Sequence, residues 1–343
     1  MNTPRTLLAA TLLLTSLILS ACAPDRILID LAPGDGRLTE TAVFKDSGAP
    51  DTAPKIAMID VSGMIASIAT GGLIPSGGNP VDDLVARLNK AAEDASVRAI
   101  IIRVNSPGGT VAASETMYNE IRAFRKRTKK PVVISMAEVA ASGGYYIALA
   151  GDQLVAQPSS VTGSIGVIFQ TFNFSEGMRR FGIESRAVVS RSNKDIASPF
   201  EPPVEEHYAI LQSLVDDFYA KFRALVAERR PSIAPADMDT VTDGRVFTGS
   251  QALELHLVDK LGGVREAFDA AKSLAELDRA QLVKYHAQGR RPNSAYALGP
   301  ELDSRLNPPQ STEINLVQLN LAAAESAGAS GFYYLWTPAL TRP

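Results

Sequence analysis

Two kinds of apolar pattern alternate along the chain. Continuous apolar runs occur at Lys55–Ser62 (KIAMIDVS), Val97–Val104 (VRAIIIRV) and Pro131–Ser135 (PVVIS). Between them, apolar residues recur at helical spacing: Val81, Leu84, Leu88 and Ala91, then Met117, Ile121 and Phe124. Uninterrupted β-branched runs suit strands of a parallel sheet buried on both faces. The alternation predicts an α/β fold with a mostly parallel sheet and flanking helices. Asn79-Pro80 is a helix start, with an Asn cap and Pro in the first turn. Further along, Asp152–Gln157, Val161–Phe169 and Glu184–Ser190 read as strands, and Phe174–Phe181 as a short helix. Val204–Arg230 reads as a long helix with Leu211, Leu214, Phe218, Phe222 and Leu225 as its stripe, a core or subunit-interface feature. Thr248 to Gln251 has the form of a capping box, and Val264–Leu274 forms a last helix after Gly262-Gly263.

The pattern breaks down at both ends. Arg5 precedes an uncharged apolar run, Leu7–Leu19, too short to span a bilayer comfortably as a helix. Leu19-Ser20-Ala21-Cys22 follows and is similar to a bacterial lipobox, with cleavage before Cys22 and lipid on its thiol. Cys22 is the chain's single cysteine, so a disulfide within the chain is ruled out. Residues 1–21 are thus expected to be a lipoprotein signal peptide. Residues 22–54, with five prolines and glycines between Pro33 and Pro50, are a linker from the anchor. The expectation is an exported protein, held on a bacterial membrane by lipid, with its folded part on the periplasmic or extracytoplasmic side. Residues 55–275 form the domain and 276–343 a partly disordered extension. Within the extension, Arg290–Gln310 is rich in Pro, Asn and Gly, Ile314–Leu321 alternates weakly like a strand, and Phe332–Trp336 (FYYLW) is apolar enough to dock on this or another subunit.

Composition narrows the class. Of 343 residues, 45% are hydrophobic and 21% charged, so a sizeable core is available. The formal net charge of −3 gives no basic field for nucleic acid. The one dense basic run, Arg122–Lys130, ends a predicted helix, where the helix dipole favours cations.

The chemistry centres on Ala141-Ser142-Gly143-Gly144-Tyr145-Tyr146, where the strand at 131–135 hands over to an apolar helix. Bare glycine backbone and open helix N–H groups suit a developing oxyanion, which makes Ser142 a candidate nucleophile; a tight turn of small residues is the plainer alternative. A serine needs a base. The three histidines, His207, His256 and His286, all lie late in the chain, and none sits among the strands nearest Ser142. His207, beside Glu205 and Glu206, reads as solvated. Lysine is the other known base, provided burial or nearby cations bring its pKa of ~10.4 down by about 3 units. Lys194 lies among small polar residues after a predicted strand, with Arg191 close by to lower its pKa and Asp195 to raise it; an ordinary loop lysine is the alternative.

Five motifs in order settle the comparison. Asn105–Gly109 (NSPGG), Ala141–Tyr146 (ASGGYY), Thr162–Val167 (TGSIGV), Lys194–Pro199 (KDIASP) and Asp243–Gly263 together resemble the signal peptide peptidase A family, peptidase family S49, in its short single-unit form. The resemblance covers roughly residues 55–275 and implies a ClpP/crotonase-like fold. It also implies a membrane-associated serine endopeptidase acting on peptides such as remnant signal peptides. On this resemblance Ser142 is the nucleophile and Lys194 the general base. Ser164 orients the lysine and helps hold it neutral, and Gly109 and Gly143 supply the oxyanion N–H groups. No cofactor or metal is implied. Short members form rings, which implies a homo-oligomer in which a neighbour helps complete the groove. Two other readings remain: a crotonase-like acyl-CoA enzyme, which needs neither Ser142 nor Lys194, and a catalytically silent membrane scaffold.

Overall fold

The computed structural model describes residues 38–67, 79–287, 291–297 and 331–336. Cys22, the signal segment, most of the apolar loop after Gly63 and the weak strand at 314–321 lie outside them.

The strands and helices follow in this order: β1 (Leu38–Lys45), β2 (Lys55–Ser62), α1 (Pro80–Glu93), β3 (Val97–Ser106), β4 (Gly108–Thr110), α2 (Val111–Thr128), β5 (Val132–Ala141) and α3 (Gly143–Ala148). Then come β6 (Gln153–Ala156), β7 (Val161–Gly163), α4 (Ser175–Arg180), α5 (Glu205–Arg229), α6 (Met238–Val241), β8 (Val246–Thr248) and α7 (Gly249–Glu254). The last are β9 (Lys260–Leu261), α8 (Val264–Leu274), β10 (Gln281–Ala287) and β11 (Tyr333–Leu335).

The main sheet has the order β1-β10-β2-β3-β5-β6-β9, with β7 and β8 added beyond the end of β6. From β10 through β9 every neighbouring pair is parallel; β1–β10 and β7–β8 are antiparallel. The apolar runs behave as a sheet covered on both sides demands. Ala57, Ile59, Ile100, Ile102, Val132 and Ile134 pack in one core with α1, α2 and α3. Their alternates Ile56, Met58, Ile101 and Val133 pack in a second core beneath α8, around Phe268. Helix α1 starts at the Asn79 cap, whose side chain accepts from the Val81 N–H, and buries the four positions its spacing marked. The capping box on Thr248 is formed, with Gln251 answering it.

Several expectations differ from the fold; the strand read over Val161–Phe169, for one, is confined to Val161–Gly163. Residues 38–45, assigned to the linker, form β1, and residues 281–287, assigned to the extension, form β10 between β1 and β2. The sheet therefore reaches beyond 55–275 at both ends. Glu184–Ser190 forms no strand. Its residues are mostly exposed, and no strand pairs with it.

The site is positioned by a change of partner along β5. Residues 133–136 pair with β6, whereas 139–141 pair with β7. Against β3, a register shift separates Val104↔Met136 from Ser106↔Ala140. The extra β5 residues form an irregularity, held by Asn105 Oδ1 accepting from the Val139 N–H at 3.1 Å and by the Ser160 hydroxyl donating to the Ala137 carbonyl. Two segments of the family-like pattern thus meet where β5 ends, one residue before Ser142.

Candidate active site

Ser142 sits between β5 and α3 at φ 54°, ψ −115°, a conformation that costs a residue with a Cβ about 1–3 kcal/mol. The surroundings impose it. The Ser142 N–H donates to the Gly163 carbonyl at 2.8 Å, and the Ser142 carbonyl accepts from the Tyr146 N–H at 2.8 Å. A sharp, strained strand-to-helix turn is the backbone form that presents a serine hydroxyl at the top of a sheet. The residue is 1% exposed, and its hydroxyl makes no hydrogen bond to another described residue.

Two backbone N–H groups come together next to it. Gly143 opens α3, so its N–H has no acceptor within the helix. Gly109 lies on β4, against which Ile65 runs as a parallel bridge. A Cβ on Gly143 would fall 3.1 Å from the Gly109 N, and a Cβ on Gly108 would fall 2.7 Å from the Gly143 N. The two amides therefore border one small volume. Only glycines permit this: Gly108 has φ 106°, and a Cβ on Gly109 would lie 1.8 Å from the Ile65 carbonyl oxygen. Helix α3 has six residues, so the paired amides, rather than a long helix dipole, define the electropositive spot.

Sequence reasoning passed over the residues that build this turn. Ser106 is fully buried; its hydroxyl donates to the Gly63 carbonyl at 2.6 Å and accepts from the Gly108 N–H at 3.1 Å. Ser114 Oγ donates to the Thr110 carbonyl at 2.9 Å and lies where a Gly143 Cβ would go. Ser106 stood inside the NSPGG motif, whereas nothing in the sequence marked Ser114.

Ser164 is buried, at φ 51°, with its N–H on the Arg245 carbonyl at 2.7 Å. It directly follows the glycine whose carbonyl holds Ser142, so the structure brings Ser142, Gly143, Gly109 and Ser164 into one neighbourhood. It does not bring in Lys194. That side chain is exposed, in a run of turns at 191–197, and makes no hydrogen bond or ion pair to a described residue. His207 corrects its solvated reading. It is 9% exposed, with its ring Nε2 3.0 Å from the Ser192 carbonyl. A carbonyl only accepts, so Nε2 carries the proton and pins the lysine-bearing loop to α5. His286 is tied to Thr39 and Thr41 on β1, and His256 lies in the turn after α7. None of the three is hydrogen-bonded to Ser142.

Beside the paired amides lies an aromatic pocket. Tyr146 packs edge-on against Tyr118 at 5.5 Å and Phe222 at 5.0 Å. Burial first, then Glu115 and Tyr118, pushes the Tyr146 phenol up to about 12, so it stays neutral. Among the described residues no group of three or more His, Cys, Asp or Glu could hold a metal ion, and no helix is long and apolar enough to cross a membrane.

Comparison with known proteins decides the family. A family model described as Peptidase family S49 matches residues 124–278, and one described as Clp protease matches residues 75–164. The protein named "Putative protease slr0021" of Synechocystis is 37% identical over 66% of this chain and 76% of its own. This chain belongs to peptidase family S49. The Enterococcus faecium protein named "Putative signal peptide peptidase SppA" is 32% identical over 74% of this chain and 72% of its own. Protease 4 of Haemophilus influenzae is 34% identical over 64% of this chain but 35% of its own length. Membership of S49 fits the Clp protease-like sheet and favours a peptidase over an acyl-CoA enzyme or a silent scaffold.

Proposed function

We propose that this S49 peptidase is a serine endopeptidase in which Ser142 is the nucleophile and Lys194 the general base. The observation that carries the reading is the strained Ser142 turn with the Gly109 and Gly143 amides bordering one volume beside it. Neutral Lys194 takes the Ser142 proton as Oγ attacks a peptide carbonyl. The two amides donate to the oxyanion, each contributing about 3–4 kcal/mol to the transition state. The resulting ammonium protonates the leaving amine, and water, activated in turn by the lysine, hydrolyses the ester. Ser164 orients the lysine.

The lysine comes from a neighbouring subunit of a homo-oligomer. Two features support this. Lys194 is exposed and unengaged within its own chain. The segment around it also exposes Phe172, Phe174, Phe181, Val188 and Phe200, an apolar surface a single chain leaves uncovered. Lipid on Cys22 holds the enzyme on the extracytoplasmic side of a membrane, where the substrates are peptides such as remnant signal peptides; the Enterococcus relative carries the words signal peptide peptidase in its name.

Hydrolysis of a fluorogenic peptide by the full chain tests this. Ser142→Ala abolishes turnover and Lys194→Ala reduces it by at least about 10³-fold. Undiminished hydrolysis by Ser142→Ala overturns the assignment.

A further inference from the structure

Residues 331–336 (GFYYLW) are held away from the main sheet, on the strand that carries Gly109. β11 pairs antiparallel with β4 in the register Tyr333↔Thr110, Tyr334↔Gly109, Leu335↔Gly108. The Val111 N–H donates to the Phe332 carbonyl at 3.1 Å, and the Trp336 N–H to the Pro107 carbonyl at 2.8 Å. Bonded pairs alternate in an antiparallel ladder, so Gly109 and Tyr334, midway between these, are a bonded pair. The Gly109 N–H thus points at the Tyr334 carbonyl. A Cβ on Gly108 would lie 2.0 Å from that carbonyl oxygen and 2.7 Å from the Gly143 N. The Tyr334 oxygen therefore stands at the spot the two amides border.

The segment is gripped on its other edge as well. Tyr333 and Ile168 exchange N–H···O bonds, both 3.0 Å. A short strand lying between two edges, its side chains alternating into pockets, is how an extended peptide is bound by strand addition. The Tyr334 side chain fills the aromatic pocket: it stacks on Tyr146 at 5.1 Å, meets Phe222 at 4.7 Å, and its hydroxyl donates to the Phe218 carbonyl at 3.2 Å. Phe332, two residues earlier on the same side, packs between Phe169 and Phe218. Tyr334 is 2% exposed.

We infer that residues 331–336 occupy the substrate cleft as a built-in substrate, with the Tyr334 carbonyl in the oxyanion site and its ring in the acyl-side pocket, so that the chain inhibits itself and selects peptides with an aromatic residue at that position. The inference rests on Ser142 being the nucleophile. The bond presented is Tyr334–Leu335. Attack by Ser142 Oγ forms an ester to the Tyr334 carbonyl carbon and breaks the bond to the Leu335 nitrogen. The serine proton passes through the base to that nitrogen, and water then hydrolyses the ester to the Tyr334 carboxylate. A tethered segment acts at about millimolar effective concentration, so free peptides must compete against it.

Two measurements test this on the full-length protein. The first maps by mass spectrometry the cut in synthetic Gly-Phe-Tyr-Tyr-Leu-Trp; the expected position is between the second Tyr and Leu. The second compares kcat/KM on a fluorogenic peptide with Tyr on the acyl side. Tyr334→Asp, which cannot enter the neutral pocket, is expected to raise it by about tenfold or more, while Tyr334→Phe, which keeps the ring, stays near wild type. Ser142-dependent hydrolysis of other peptides, with the hexapeptide uncut or cut elsewhere, overturns the inference and leaves the proposed function standing. So does an unchanged kcat/KM in Tyr334→Asp. Peptide hydrolysis that survives Ser142→Ala overturns the proposed function and this inference with it.

Discussion

At Ser142 the backbone is held at φ 54° by bonds made on both its sides, to the Gly163 carbonyl and from the Tyr146 amide. The strain is stored one residue before the Gly143 amide, and the glycines at 108, 109 and 143 make the close approach of the Gly109 and Gly143 amides possible. Gly143 tests this economically. It opens a helix without a positive φ, so alanine suits its backbone, yet the new Cβ would sit 2.5 Å from Ser114 Oγ and 3.1 Å from the Gly109 N. Gly143→Ala is expected to cut kcat by about 10²-fold or more while the melting temperature moves only a few degrees. Equal loss of both would make the glycine structural. That Ser142, Gly109 and Gly143 share one neighbourhood was legible because their glycine-rich motifs stand at the ends of strands; their chemical roles belong to the proposed function. His207 was misread because its acidic neighbours suggested solvent, whereas helical phase turns it inward onto the Ser192 carbonyl. The part of Ser114 was invisible, because its role exists only once α2 lies against α3.

At the scale of elements, the continuous apolar runs and helical spacings told the truth, since each is a local consequence of being covered on two faces or one. The strands missed were those whose existence depends on a distant partner. β1 pairs with β10, and both are of mixed polarity along their length. Glu184–Ser190 has strand-like residues but no edge to pair with, and β propensity without a partner does not make a strand. The turn into β3 carries a testable charge. Burial raises the Asp94 carboxyl, but the Ser96 hydroxyl and amide and the Lys55 ammonium outweigh it and hold it at about 2. Its folded pKa is thus below the unfolded value of ~3.9, so its contribution is present above about pH 4 and fades as pH falls towards 2. Because the group is partly exposed, that contribution is about 1 kcal/mol. In urea denaturation, Asp94→Asn is expected to be less stable than wild type at pH 6, the gap closing by pH 2.5. A gap that is unchanged across that range would remove the ion pair from the account.

For the whole molecule, the proposed base, Lys194, is exposed on a loop, and its side chain engages no described residue of its own chain. The sequence supplied a serine and a lysine in family order, and the resemblance implied that a neighbour helps complete the groove. Under the proposed function, the exposed apolar side chains around Lys194 are the surface a second copy would cover. If each site takes Ser142 from one subunit and Lys194 from the next, two inactive proteins can repair each other. Mixing Ser142→Ala with Lys194→Ala chains, after dissociation and reassembly, is expected to restore a substantial fraction of wild-type hydrolysis, as mixed neighbours form intact sites. Activity that stays at the level of the separate variants would place both residues in one chain.

The central claim is that Ser142 is a nucleophile worked by Lys194. Reaction of the full chain with a fluorophosphonate, followed by mass spectrometry of its peptides, tests it most directly. The account predicts a single adduct on Ser142 that forms on wild type, is absent from Ser142→Ala and forms at least about 10²-fold more slowly on Lys194→Ala. An adduct on another serine, or labelling of Ser142 at an unchanged rate without Lys194, would contradict it.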